Sequence, residues 1–223
     1  TTIFGILFFL SNLDHDKKLN LQQAFLLTAL SWLSIAVFGS LPFIFSDSDF
    51  SITNAFFESM SGITTTGSTI ISNLENTPKG ILLWRALLQW LGGIGIIVMA
   101  LAILPTLSVG GMQLFKTETY EASDNAIPRA RQLAGGIFAV YATLTFIWSC
   151  MLWIAGMTSF DALIHSMTTL ATGGYSSKTS SIAAFDSIAI EIIIISGMLA
   201  GSLPFAHYLA ITRGGWRALI NDP

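Results

Sequence analysis

Charged residues are scarce in this sequence. Asp, Glu, Lys and Arg together make up 10% of 223 residues, and hydrophobic residues make up 52%, whereas an average soluble domain carries roughly 25% charged residues. Too little charge is available to cover a soluble surface, so the composition points to a chain that lives in lipid. There is one cysteine, Cys150, which excludes an intrachain disulfide and a cysteine-rich metal site. No HExxH motif and no pair of aspartates within the apolar stretches is present, which argues against an intramembrane enzyme, because such chemistry needs a nucleophile with its base or a set of metal ligands. No GxGxxG or GK[ST] motif occurs, so nothing encodes nucleotide binding. The opening TTIFGILFFL has neither an initiating Met nor a charged leading segment and reads as the end of an upstream helix, not as a signal peptide.

What is abundant is uninterrupted apolar sequence. Leu19 to Ser46, Ala86 to Phe115, Gln132 to Phe160 and Ile192 to Thr212 are each free of Asp, Glu, Lys and Arg, and each reaches the roughly 20 residues that span a bilayer as a helix. Four transmembrane helices are expected near 20 to 45, 80 to 104, 133 to 157 and 186 to 211. Two shorter apolar stretches, 50 to 63 and 159 to 170, lie between the first and second and between the third and fourth of these. Stretches of about 10 to 14 residues are too short to cross and fit re-entrant segments.

Sliding the sequence by 107 positions superimposes the two short stretches without a gap. Asn54 to Gly67, NAFFESMSGITTTG, falls on Asp161 to Gly174, DALIHSMTTLATGG. Ala55 and Ala162, Ser59 and Ser166, Met60 and Met167, Thr65 and Thr172, and Gly67 and Gly174 are identical pairs. The unit is therefore long helix, short helix, glycine loop, long helix, and it occurs twice in parallel orientation; transporters are often built from such repeats. Seven of the ten basic residues, Lys17, Lys18, Lys116, Arg129, Arg131, Arg213 and Arg217, fall on the side away from the short helices. By the positive-inside rule that side is cytoplasmic. The outer side holds Asp47, Asp49, Glu58, Glu75, Asp161, Asp186 and Glu191 against Lys79, Arg85 and Lys178, an acidic vestibule that would concentrate cations.

Irregular backbone at membrane depth persists only where protein or a watery cavity satisfies it. Thr, Ser and Gly give a loop small side chains and access to positive φ, so its carbonyls can turn toward a common axis and replace the hydration shell of a monovalent cation. The short helix ahead of each loop would direct the partial negative charge of its C-terminus at the same point.

SGITTTGST at 61 to 69, WRALLQWLGGIGIIVMALAILP at 84 to 105 and HSMTTLATGGYSS at 165 to 177 resemble the TrkH/KtrB/HKT superfamily of potassium transporters, and the tryptophan- and glycine-rich second helix resembles its bacterial TrkH branch. The resemblance implies an all-α membrane fold of tandem helix, pore-helix, filter-loop, helix repeats, two of an expected four, with this chain as the N-terminal half. It implies a connector at 1 to 18, a first repeat at 19 to 104, a cytoplasmic linker at 105 to 131, a second repeat at 132 to 212 and a further connector from 213 to 223. The family's filter glycine maps to Gly67 and Gly174. Backbone carbonyls of Thr65, Thr66, Gly67, Thr172, Gly173 and Gly174 become the potassium ligands, and the filter continues through Ser68, Thr69, Tyr175 and Ser176. Implied function is potassium uptake across the inner membrane, as channel or symporter, with potassium as cargo and no cofactor. A sodium- or ammonium-permeable relative and a non-conducting assembly subunit are the alternatives, and Gly67, where sodium-permeable members often carry Ser, speaks against the first. Implied partners are membrane lipid, the C-terminal repeats of the same chain, a second copy in a homodimer, and a TrkA-like cytoplasmic nucleotide-binding subunit docked near Lys116, Arg129 and Arg131. Nothing points to nucleic acid.

The remaining features have modest expected roles. Gly92, Gly93 and Gly95 should let the second helix approach the short helix closely. Glu58 could add negative potential at the mouth, and His165, at the matching position, is expected to hydrogen-bond at an interface. Arg85 and Glu191 are expected to snorkel or pair near outer helix ends, His207 to reach water, and Trp32, Trp84, Trp90, Trp148 and Trp153 to include interfacial anchors.

Overall fold

The structure, a computed structural model, describes residues 21–46, 50–107 and 126–212. Among these, regular structure is entirely helical. The order is α1 (Leu21–Gly39), α2 (Leu41–Ile44), α3 (Ile52–Ile63), α4 (Lys79–Leu107), α5 (Ala126–Ile154), α6 (Ser159–Leu170), a 3-10 turn (Ser181–Phe185), α7 (Ile188–Ser202) and α8 (Phe205–Thr212). The expected connectors at 1 to 18 and 213 to 223, together with Lys116, Asp47 and Asp49, lie outside the described residues. Helices α4 and α5 both extend into the segment expected as linker, so Arg129 and Arg131 fall in the first turns of α5.

The first expected crossing is offset at Ser40, and the fourth is broken. After α1, Ser40 leads into Leu41, and Pro42 in the first turn of α2 restarts the helix, since proline lacks an N–H and clashes with the preceding turn. Leu203 is extended (φ −75°, ψ 144°) because it precedes Pro204, which pushes its neighbour out of the helical region. The fourth expected span is consequently α7, of 15 residues, followed by α8 after the break. Phe25–Ile44 and Ala134–Ile154 are the described segments both long and apolar enough to cross a bilayer; α4, with 29 residues, measures about 43 Å at 1.5 Å per residue.

The short helices α3 and α6 sit inside this frame. Each has 12 residues, about 18 Å or little more than half the hydrocarbon core. Their starts are built alike: Ser51 (φ −65°, ψ 155°) accepts from the N–H of Asn54, and Thr158 (φ −62°, ψ 153°) accepts from that of Asp161. A capping hydroxyl satisfies a donor that the helix leaves orphaned. Asp161 returns the bond, its carboxylate accepting from the Thr158 hydroxyl at 2.7 Å.

Around α3, one apolar core gathers Ala36, Phe43, Ala55, Ile63, Ile81 and Leu88. Around α6, a second gathers Ile137, Tyr141, Leu170, Ala171, Ala200 and Phe205. A third joins the two halves, with Leu82 and Ala86 of α4 against Ile164 and Met167 of α6. Three of the expected interfacial tryptophans instead tie helices together. Trp84 donates to the Gly39 carbonyl (2.8 Å), Trp90 to Thr145 Oγ1 (3.0 Å) and Trp148 to the Ile193 carbonyl (3.0 Å), because a buried indole N–H needs an acceptor. Trp153 is exposed, as is His207.

Glycines set the approach of the long helices to the short ones. A β-carbon on Gly92 would overlap the carbonyl of Ile63, the last residue of α3. One on Gly201 would lie 2.7 Å from the carbonyl of Leu170, the last residue of α6. Both long helices are therefore seated against the C-terminus of the short helix they follow. Gly93 faces Tyr141 and Ala171, and Gly95 only loosely meets Trp32.

Gly92→Ala is expected to lower the thermal unfolding midpoint of the detergent-purified protein by an amount worth about 1–3 kcal/mol, the usual cost of overpacking a filled contact. Gly135→Ala, where a β-carbon meets no atom within 4 Å, should leave the midpoint unchanged or raise it slightly. Equal shifts in the two variants would contradict the packing assignment.

Candidate functional site

Both short helices end in the same way. The N–H of Thr66 reaches the carbonyl of Ser61 and that of Thr65 the carbonyl of Gly62; likewise Gly173 reaches Thr168 and Thr172 reaches Thr169. These paired bonds close a helix through one left-handed residue, a place usually held by glycine. Here threonine holds it twice, at Thr65 (φ 56°) and Thr172 (φ 53°). A β-branched residue in that conformation costs on the order of 1–2 kcal/mol, so packing around each loop must hold it there. Two residues later Gly67 (φ 79°) and Gly174 (φ 77°) take positive φ again. This left-handed, intervening, left-handed pattern recurs at a spacing of 107 residues in both loops.

Among the described residues, the carbonyls of Thr65, Thr66, Gly67, Thr172 and Gly174 accept no hydrogen bond. Thr66 and Gly174 are exposed and Gly67 is half-buried. Backbone oxygens without donors, on loops held rigidly from behind, can coordinate a dehydrated cation. Gly173 differs from the rest of the expected set. It is buried, and its carbonyl accepts from Gln89 Nε2 at 2.9 Å. Ser68 differs too, since its carbonyl accepts from the Ser61 hydroxyl at 2.6 Å and from the Tyr175 hydroxyl at 3.3 Å. The two loops touch directly, for a β-carbon on Gly67 would overlap the Gly173 carbonyl.

Behind the loops lies a buried ion pair. Arg85 Nε meets Glu58 Oε1 at 2.6 Å, with side chains 1% and 0% exposed. Glu58 also accepts from Thr69 Oγ1 (2.8 Å) and from the N–H of Ile70 (3.1 Å), which anchors the descending arm of the first loop. The guanidinium stacks on the Tyr175 ring, 4.0 Å from its centre, and Tyr175 donates back to the Glu58 carbonyl at 3.0 Å. One charge pair thus links α3, α4 and both loops. The expectation that Glu58 adds negative potential at the mouth is corrected, because its charge is consumed by Arg85. Of the two expectations for Arg85, snorkelling or pairing, the structure shows pairing, inside the protein.

His165 stands where the second unit would place Glu58. Its Nδ1 lies 2.8 Å from the Asp161 carbonyl, an acceptor only, which fixes the proton on Nδ1. Nε2 is hydrogen-bonded with the Ser176 hydroxyl at 3.0 Å. In both units the polar residue at this position holds the hydroxyl eleven residues on, Thr69 or Ser176. The Ser177 hydroxyl donates to Asp161. Outside, Thr179 donates through both its hydroxyl and its N–H to Glu75, holding that carboxyl below the usual carboxylate range and clasping the outer loops together. Glu191 is exposed. No cluster of three or more His, Cys, Asp or Glu side chains placed to hold a metal ion occurs among the described residues.

Sequence reasoning missed Gln89 and the left-handed threonines. Gln89 carries a signal, a lone amide one turn after Arg85 in the apolar run WRALLQWLGG, where a buried polar group implies a partner. The threonines carry none, since helix stops are read from glycine.

The TrkH family, described as a cation transport protein, matches residues 1–219. The Trk system potassium uptake protein TrkI of Halomonas elongata is 45% identical over 202 residues, covering 90% of this chain and 41% of that protein. The Trk system potassium uptake protein TrkH of Vibrio parahaemolyticus is 42% identical over 224 residues, covering 96% and 46%. The crystal structure of the potassium transporter TrkH from Vibrio parahaemolyticus superimposes with a TM-score of 0.80 at 40% identity, covering 96% of this chain and 44% of that one. The chain spans less than half the length of these relatives.

Arg85→Met is expected to cost about 3–5 kcal/mol, because it strands a buried carboxylate. Glu58→Gln combined with Arg85→Met should recover more than half of that loss. Thermal unfolding in detergent and the amount of protein in membranes check both; a double variant no better than the single one would mean that the charge pair is not what Arg85 contributes.

Proposed function

The chain belongs to the TrkH family of cation transport proteins, and from that premise we propose that it takes up potassium across the inner membrane along a path walled by the backbone carbonyls of its two glycine loops. It is an integral membrane protein of the inner membrane, a transport protein and not an enzyme. Potassium as cargo is supported by relatives named as Trk system potassium uptake proteins. The observation that carries the pathway is the pair of loops with the same left-handed pattern, both bearing carbonyls that accept no bond from the described residues. Carbonyl dipoles in fixed directions replace a potassium hydration shell, and their number and orientation decide how well sodium is refused.

In this reading Thr65, Thr66, Gly67, Thr172 and Gly174 supply ligands, and Thr69, Tyr175 and Ser176 hold the descending arms. Two loops wall half a ring, so the pathway is completed by further repeats of the same chain, with a second copy forming the homodimer. A nucleotide-binding subunit of the TrkA kind docks on the cytoplasmic face. These assemblies are parts of the proposal, consistent with a chain that covers 44% of the solved transporter.

Gly67→Ser and Gly174→Ser, each in the protein with its flanking sequence, should both lower the ratio of potassium to sodium uptake in cells lacking other potassium uptake systems. Gly67→Ser should be the more severe, with about a tenfold or greater loss, since it both forbids the left-handed backbone and drives a β-carbon into the Gly173 carbonyl. Unchanged selectivity in both variants would sink the pathway assignment.

A further inference from the structure

The two loops are alike in backbone but not in sequence: where the first has Thr66, the second has Gly173. Gly173 has no positive φ to require glycine. What requires it is space, because a β-carbon there would meet the terminal amide of Gln89, its oxygen at 2.5 Å and its nitrogen at 2.7 Å, far inside van der Waals contact. Gln89 is 0% exposed. Its Nε2 donates to the Gly173 carbonyl (2.9 Å), and its Oε1 accepts from the N–H of Tyr175 (3.1 Å). One side chain from α4 therefore grips the second loop on both sides of Gly174, and both ends of the amide are used. Among the described residues no side chain grips Thr66 in this way, and its hydroxyl pairs with that of Thr64.

We infer that Gln89 is a positioning residue that sets ion selectivity, by turning the Gly173 carbonyl out of the ion path and fixing the direction of Gly174. The inference rests on reading the loops as the ion pathway. Its chemistry is simple. A carbonyl engaged by an amide donor and packed against Gly67 is withdrawn as an ion ligand. The second loop then offers Thr172 and Gly174, whereas the first offers three consecutive oxygens. Selectivity depends on the number and field of the ligating carbonyls, so releasing Gly173 changes both. The same grip accounts for the adjacent glycines of the second loop: Gly174 is needed for its φ, and Gly173 for the room that Gln89 takes.

Uptake of potassium and sodium should be measured for Gln89→Glu, which keeps the shape but removes the donor, and for Gln89→Ala combined with Gly173→Ala, which refills the space without the grip. Amounts in the membrane are matched, and Gly67→Ser is run alongside. The expected result is a fall of about tenfold in the potassium to sodium ratio, the effect of roughly one hydrogen bond on a binding ratio, with sodium uptake maintained or raised and the apparent KM for potassium raised more than the maximal rate is lowered. Proportional loss of both ions, or a wild-type ratio while Gly67→Ser shows its defect, would overturn the inference and leave the pathway reading intact. An unaltered ratio in Gly67→Ser as well would remove the pathway itself. For any variant too poorly inserted for uptake, protection of the purified protein against heat by potassium relative to sodium gives the same decision: a smaller preference than wild type supports the role, and an equal one overturns it.

Discussion

A carboxylate and a guanidinium that share no water must share each other. Glu58 and Arg85 are buried in the middle of the helix packing, where an isolated charge costs several kcal/mol; further contacts of the pair reach the two loops, while Arg85 Nη2 has no hydrogen-bond partner among the described residues. Glu58 holds the arm of the first loop through Thr69 and Ile70. Arg85 lies on Tyr175 of the second. The hydroxyl of Tyr175 returns to α3, so the pair is braced from each side. A bond network of this kind tolerates little displacement, because losing one partner strands another in a low-dielectric interior.

That rigidity explains how strained backbone persists. Thr65 and Thr172 stand in a conformation that threonine avoids, and an isolated loop would relax from it. The short helices are capped at the start by Ser51 and Thr158 and closed at the end by paired amide bonds. The following long helices press glycines against their last carbonyls. With both ends of each short helix fixed, the next residues have little freedom, and the oxygens that face away from the protein keep their direction. Function in the proposed sense needs that: carbonyls that could swing would ligate a smaller ion equally well.

The two halves reach similar loops by different chemistry. In the first, a salt bridge stands behind the loop. In the second, His165 does the same work for Ser176, and the grip on the backbone comes from Gln89 across the boundary between halves. Among the described residues one charge pair is buried, and the second loop depends on the first half for its shape.

Much of this was legible in the sequence. Apolar runs gave the long helices, since a bilayer needs about 20 such residues, and the match between 54 to 67 and 161 to 174 gave the short helices and paired Gly67 with Gly174, because identical local sequence makes the same caps and turns. Pro42 and Pro204 mark in the sequence the points where the first and fourth spans depart from a continuous helix. What the sequence could not give was any contact between residues far apart. That Glu58 meets Arg85, that Gly173 makes room for Gln89, and that three tryptophans bond inward all depend on separations of 27 to 84 residues along the chain closing to hydrogen-bond distance. Chain-local rules determined where each loop lies and which glycine aims it; only the packing of α4 between the halves decided which of the loop's oxygens are left free, because a carbonyl's direction is set by the donor that reaches it.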